Sequence, residues 1–188
     1  MKVIEHLESF CGPIAEGWKT DPDGAEVPFQ IVRLERGPIT GTVTFSTLGL
    51  SNYALRSATS SKLIRHELVM LARSDAVPNN LAPLLQQVAA DSIARGSAYL
   101  AGEVIGPRGR LFSGSNFSAL YVSAPVYFPS EFAGVSTENI GRVIFAWLVP
   151  ITTEEANYTT NNGWNKFEDI LSRKNPDLLD LRRHSTVA

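Results

Sequence analysis

Apolar positions along this chain change their period from segment to segment, and each change predicts an element. In MKVIEHLESF, Val3, Ile4, Leu7 and Phe10 recur at the spacing of one helical face while Glu5, His6 and Glu8 take the other, which predicts a helix over residues 1–10. Gly12 and Pro13 end it. The run from Gly17 to Pro28 is dense in turn formers and predicts a surface loop, with Asp21-Pro22-Asp23-Gly24 as a four-residue turn. Phe29 to Leu34 and Thr42 to Leu48 are β-rich runs joined through Arg36-Gly37-Pro38, and they predict an antiparallel pair. In the second run Val43 and Phe45 alternate with Thr42, Thr44 and Ser46, as in a half-buried strand. After a serine- and threonine-rich loop from Leu55 to Lys62, Leu68 to Leu71 predict a third and more buried strand.

The clearest helix runs from Asn80 to Gly96, where Leu81, Leu84, Leu85, Val88, Ala89 and Ile93 form one stripe and Pro83 fits the first turn. Asn79 or Asn80 is its N-cap and Gly96 its stop. Residues 101–114 read as a short strand and a glycine-rich loop, and Ala119 to Phe128 as a strand whose Pro125 marks an edge or a bulge. Arg142 to Val149 is nearly continuous apolar sequence around Trp147, a central strand that Pro150 ends. Thr152 or Thr153 opens a helix with Glu154 and Glu155 in its first turn, and Gly163 separates it from a second helix, Asn165 to Ser172, with Phe167, Ile170 and Leu171 facing inward. Strands first, one long helix among them and helices last predict an α+β fold: a mainly antiparallel, mixed sheet covered by helices, in a single domain over residues 1–188.

At 188 residues the chain is long enough to bury about 70% of the surface its unfolded form exposes, so it needs no covalent staple. Its net charge of −2 supplies no general attraction for phosphate backbones or anionic membranes, so neither nucleic acid nor membrane is expected as a partner. Arg108 with Arg110, and Arg182 with Arg183 and His184, read as solvated charge. A single cysteine, Cys11, excludes an internal disulfide and fits a reducing compartment. With no apolar signal segment at the amino terminus and no apolar window near ~18 residues, the expected location is the cytoplasm.

Candidate chemistry is sparse. No GxSxG elbow occurs, and Gly114-Ser115-Asn116 lacks the second glycine. His6, His66 and His184 stand far apart, without HxxxH, HExxH or CxxC spacing to set metal geometry on one element. Asp21 and Asp23 before Gly24 suggest a calcium loop, but Gln30 stands where the closing Glu belongs, so a turn explains them better. No catalytic group, metal or cofactor is expected. Trp147 reads as core, whereas Trp18 and Trp164 stand beside glycines at element rims, where a ring packs and can still meet a partner.

Six segments occur in an order that resembles a known family: TFSTLGLSNYAL, HELVMLAR, VPNNLAPLLQQVAADSIARG, SALYVSAPVYFP, IFAWLVPITTEEANYTTNNGWNKFEDIL and DLLDLRRHS. Together they resemble the suppressor of fused (SUFU) domain, in which a strand ends in a Gly-Leu-Ser turn and the next strand carries Glu-Leu. The resemblance implies binding rather than catalysis. Animal members bind transcription factors of the Gli type in a cleft between this domain and a carboxy-terminal one, and the second domain is absent from these 188 residues, so Gli-like binding does not carry over. The chain resembles in length the short bacterial branch, whose members look like immunity proteins that bind and neutralise a cognate polymorphic toxin. On that likeness the chain is a non-catalytic module that occludes a toxin with about 800 Å² of surface. The partner-binding residues it implies are Asn52 and Tyr53 after the Gly-Leu-Ser turn, Ser60 and Ser61 in the same loop, and Trp18 at a rim. Two alternatives stay open: a regulatory interaction domain with another partner, and a small-ligand binder or enzyme with a pocket of Trp18, Asp21, Arg65 and Glu67.

Overall fold

The computed structural model describes residues 1–21 and 23–187. In chain order the elements are α1 (Val3–Cys11), β1 (Ile14–Thr20), β2 (Glu26–Leu34), β3 (Thr42–Leu48), a 3-10 turn (Leu50–Asn52), β4 (Leu55–Arg56), β5 (Leu63–Ile64), β6 (His66–Arg73) and α2 (Leu81–Arg95). There follow β7 (Val104–Ile105), β8 (Phe117–Ser123), a 3-10 turn (Ser130–Ala133), β9 (Gly134–Thr137), β10 (Gly141–Thr152), α3 (Thr153–Asn162) and α4 (Trp164–Lys174). The chain divides into two compact units, one of residues 1–100 with 124–147, the other of residues 101–123 with Leu148 onward.

In the first unit β2 pairs antiparallel with β1 and β3, and β3 pairs antiparallel with β6. β6 then runs parallel to β10 from His66 opposite Ile144 to Val69 opposite Trp147, while β9 pairs antiparallel with β10. One parallel pair among antiparallel ones, with helices laid on them, is the α+β class the element order predicts. α2 buries Leu81, Leu85, Val88 and Ala89 and packs against β2, β3 and β6; Gly96 ends it in the left-handed conformation. α1 packs against β3 and β9 and sets the His6 ring beside Phe132 and Phe145, at centroid distances of 5.9 and 5.1 Å.

The second unit pairs β7 antiparallel with β8 and packs α3 and α4 on one another, with α3 against both strands. Phe167 of α4 is buried edge-on to Tyr121, 5.2 Å between ring centroids. Thr152 and Glu155 form a capping box at the start of α3, where the sequence places a helix start. Glu155 is buried and does more than cap. It accepts from Arg183 Nη1 at 2.6 Å and Nη2 at 2.9 Å, and from the Thr186 amide and hydroxyl at 2.9 and 2.7 Å. The closing segment, where the sequence suggests only solvated charge, is thereby anchored through a buried arginine.

Other departures from the sequence reading have definite causes. The stretch from Gly17 to Pro28 holds the end of β1 and the start of β2, not one loop; β1 buries no residue fully, so it shows no clean alternation. The turn narrows to the residues between them, where Asp21 Oδ1 accepts from the Asp23 and Ala25 amides, and Pro22 lies outside the described residues. β3 is buried on both faces from Thr42 to Thr47 rather than on one. Its hydroxyls are satisfied internally, Thr44 donating to the Arg36 carbonyl at 2.9 Å and Ser46 to that of Thr47 at 2.8 Å. The short strands β4 and β5 pair across the serine-rich loop. The strand expected to reach Phe128 stops at Ser123, before Pro125. β10 continues through Pro150 because its register with β6 ends at Trp147, so the missing N–H takes nothing from that ladder.

Two acid sensitivities follow, one from each unit. His66 is fully buried with neither ring nitrogen hydrogen-bonded among the described residues, and burial pushes its pKa down from 6.5 to about 4. Between those values the unfolded chain takes up a proton that the folded chain refuses, so stability falls as pH falls. Urea unfolding at pH 7 and pH 4.5 should show His66→Leu losing about 2 to 3 kcal/mol less than the parent over this interval. At pH 7 the variant should be at least as stable, since two unsatisfied nitrogens have gone. For Glu155, burial raises the carboxyl but the Arg183 guanidinium, helped by the Thr152 and Thr186 amides, carries it below the ordinary value. Its contribution is therefore complete above an unfolded value near 4.5 and drains away as pH falls through the lower folded one. Arg183→Met, which strands that carboxylate, should cost about 3 kcal/mol or more at pH 7 by the same assay.

Candidate partner-binding site

Gly49 leaves β3 with φ 105°, a left-handed angle that a side chain would strain, and the chain turns at once into the 3-10 turn Leu50–Asn52. A three-residue turn cannot satisfy its own ends, and here β6 does so from beneath. The Glu67 carboxylate, 0% exposed, accepts from the Gly49 amide at 3.0 Å, the Ser51 amide at 3.2 Å and the Ser51 hydroxyl at 2.7 Å. Its other oxygen takes the Thr47 hydroxyl at 2.5 Å, and that hydroxyl accepts from the Leu68 amide at 2.9 Å. Arg65 holds the far end, donating to the Ser51 and Asn52 carbonyls at 2.8 and 2.7 Å. Burial raises the Glu67 carboxyl, and the four hydrogen bonds pull against it without cancelling it.

The turn forms one side of a cleft of about 550 Å³. Val3 and Ile4 of α1, Val27 to Gln30 of β2, Leu48 and Ile140 supply its walls, with Lys2 and Lys19 among its polar lining and Glu67 beneath. A second cleft of about 340 Å³ shares Lys2, Val3, Asn52 and Ile140 and adds Met1, Glu5 and residues 137–139. The arrangement offers shape, apolar wall and peripheral charge. Among the described residues no three His, Cys, Asp or Glu side chains gather to hold a metal ion. Burial pushes the Cys11 thiol up to about 11, against weaker pulls from Thr44 and Arg36, so it stays protonated at neutral pH.

The five residues implied by the sequence lie in different places. Asn52 is exposed and lines both clefts. Tyr53 is half-buried directly after the turn and lines neither. Ser60 and Ser61 are exposed in the loop between β4 and β5, also outside the lining. Trp18 lies half-buried on β1 with its ring stacked on Phe45 at 6.0 Å, and its neighbour Lys19 lines the larger cleft instead. The alternative pocket does not assemble: Arg65 and Glu67 both converge on the turn, Trp18 packs on Phe45, and Asp21 is engaged in its own turn. Lys2, Lys19, Gln30 and Ile140 come from separate segments, each unremarkable alone, and no spacing in the sequence announces them. Among the described residues no helix is long and apolar enough to cross a membrane.

Comparison with family models matches residues 25–184 to the suppressor of fused protein (SUFU) family. Comparison with curated proteins found no match. Among solved structures, a SUFU homolog from Neisseria gonorrhoeae FA 1090 superposes with a TM-score of 0.75 at 21% identity, over 99% of this chain and 95% of that one. Drosophila Suppressor of Fused gives 0.73 at 17% identity over 98% of this chain, which spans 50% of that protein. A structure of the Sufu–Fu complex gives 0.68 at 16% identity, over 98% of this chain and 90% of the other. These likenesses establish a common fold.

Glu67→Ala should cost about 3 kcal/mol in urea unfolding, because buried donors lose their acceptor. Glu67→Gln keeps one acceptor oxygen and should cost about 1 to 2 kcal/mol. Amide hydrogen exchange should accelerate at Gly49 and Ser51 in both variants, and more in the alanine one.

Proposed function

Because the chain belongs to the suppressor of fused family, we propose that it is a protein-binding module whose contact surface is the cleft beside the Leu50–Asn52 turn. The observation that carries this reading is the turn held at both ends, by Glu67 on its amides and by Arg65 on its carbonyls, at the edge of an open cleft of mixed apolar and polar lining. Such a rim is ordered before a partner arrives, so little conformational entropy is lost on binding. A solved relative in complex with a protein, the Sufu–Fu pair, supports the class of partner.

Within that class, the partner is a cognate toxin, and neutralisation is by occlusion of its active site across about 800 Å² per partner. The likeness to the short bacterial SUFU branch supports this choice, as does the Neisseria homolog matched over 95% of its own length. Occlusion needs shape and charge complementarity and no catalytic group on this chain.

Affinity capture with the tagged protein from lysate of its organism of origin, followed by mass spectrometry, tests both levels. The parent should retain one stoichiometric partner. Asn52→Arg, which crowds the rim shared by the two clefts, should lower its recovery at least about tenfold, as loss of a central contact does. Ser60→Arg, exposed and off the cleft, should retain it. A partner that arrests growth when expressed alone and is silenced by co-expression of this chain supports neutralisation. One that is harmless leaves the binding module and removes the toxin. Equal capture by Asn52→Arg removes the cleft.

A further inference from the structure

The second unit holds a cavity that the binding reading does not use. It measures about 300 Å³, at the lower end of the range for small-molecule sites. Tyr158 of α3, Ile170, Arg173 and Lys174 of α4, and Thr186 and Val187 of the closing segment line it. The last two are held in place by Glu155, which accepts from both the amide and the hydroxyl of Thr186. Thr186 is thereby spent, and three other donors are not. Among the described residues the Tyr158 hydroxyl, the Lys174 ammonium and the terminal nitrogens of Arg173 have no hydrogen bond or ion pair, since Arg173 donates only through Nε, to the Asp169 carbonyl at 3.2 Å. No carboxylate side chain lines the cavity. Of the acidic groups on these elements, Glu155 is paired with Arg183, Glu168 accepts from the Tyr121 hydroxyl, and Glu154, Asp169, Asp177 and Asp180 stand outside the lining.

Two unspent cations and a phenolic hydroxyl against Ile170, Val187 and an aromatic ring make a site for an anion with an apolar body. We infer that this cavity binds a small organic carboxylate whose apolar part is an aromatic ring or a branched chain. Arg173 offers the planar pair of N–H groups that fits a carboxylate, and Lys174 adds a second positive charge. The apolar part lies against Ile170 and Val187. A compact dianion such as phosphate is disfavoured, because Lys174 is the last residue of α4 and the negative end of that helix dipole lies at the site. This site is independent of the cleft beside the Leu50–Asn52 turn, with which it shares no residue.

The test titrates the full chain, followed by amide NMR, with benzoate, phenylacetate and 4-methylpentanoate. At least one acid should saturate with a Kd of about 1 mM or tighter and shift the Ile170, Thr186 and Val187 amides. Benzamide, a neutral counterpart of benzoate, and inorganic phosphate should each bind at least about tenfold more weakly. Arg173→Gln and Lys174→Gln should each weaken the best acid roughly fivefold, and Tyr158→Phe about threefold. Arg173 and Lys174 are exposed, and phenylalanine keeps the half-buried ring of Tyr158, so the fold is kept and the same spectra check it. A chain extended by Gly-Ser-Gly after Ala188 should bind the acids equally. Binding found only in that extended chain means that the chain's own carboxylate fills the cavity, and the inference falls. No saturation by any of the three acids at about 10 mM, equal binding of benzamide or phosphate, or indifference to all three substitutions also overturns it.

Discussion

One buried carboxylate determines whether the candidate surface exists. Among the described residues Glu67 has no cation within its own hydrogen-bond shell; it is held by two hydroxyl and two amide donors, all supplied by residues 47–51. Burying an ionised group in an apolar interior is costly unless donors replace its water, and donors facing a charge make stronger bonds than donors facing a neutral oxygen. The dependence runs both ways. The turn needs an acceptor for its orphaned amides, the carboxylate needs the turn for its solvation, and neither is stable in this place alone. Arg65, two residues earlier, completes the arrangement by taking the carbonyls at the other end. The second residue of β6 and the residue just before that strand thus match the two polarities of a short turn, and the position of Asn52 follows from both.

The second unit solves a similar problem with a different partner. Glu155 also lies fully buried and also ties a distant segment to a helix or turn, but its shell contains a guanidinium. That difference sets the direction in which each carboxyl moves. Burial pushes both up; for Glu155 the arginine reverses the sign, while for Glu67 neutral donors only moderate it. The capping-box glutamate of α3 therefore has two duties, at the helix amino terminus and at the closing segment around Arg183 and Thr186. A glutamate that only capped a helix would be a surface residue worth about 1 kcal/mol.

The sequence revealed elements wherever periodicity was strong and one face was polar. α2 shows its stripe and its Gly96 stop in plain view, and Thr152 with Glu155 announces the start of α3. It was misleading where polarity and burial part company: hydroxyls on β3 look solvent-facing but donate to carbonyls inside, and Arg183 looks like surface charge but is spent on Glu155. It was silent on β1, an edge strand with too little buried surface to impose alternation. At the candidate site, the Gly-Leu-Ser turn and the following Glu-Leu were recognisable together as a family pattern. Why they belong together is a matter of hydrogen bonds across β3 and β6, visible only when Thr47, Ser51 and Glu67 are brought within reach. Lys2 and Lys19 could not have been found at all, since nothing but the fold joins α1 to the end of β1.

This separation has a physical consequence for how such a surface could change. The turn, Arg65 and Glu67 lie inside the stretch matched by the family, residues 25–184, whereas Lys2, Val3, Ile4 and Lys19 lie before it. The first group is buried or bonded, and a substitution there disturbs a solvation shell worth several hydrogen bonds. Of the second, the exposed lysines can be exchanged for residues of either charge at within about 0.5 kcal/mol of stability. Under the proposed binding reading, rigidity and recognition therefore reside in different residues of one cleft, and the exposed lysines at its rim can be exchanged without loosening the turn beside them.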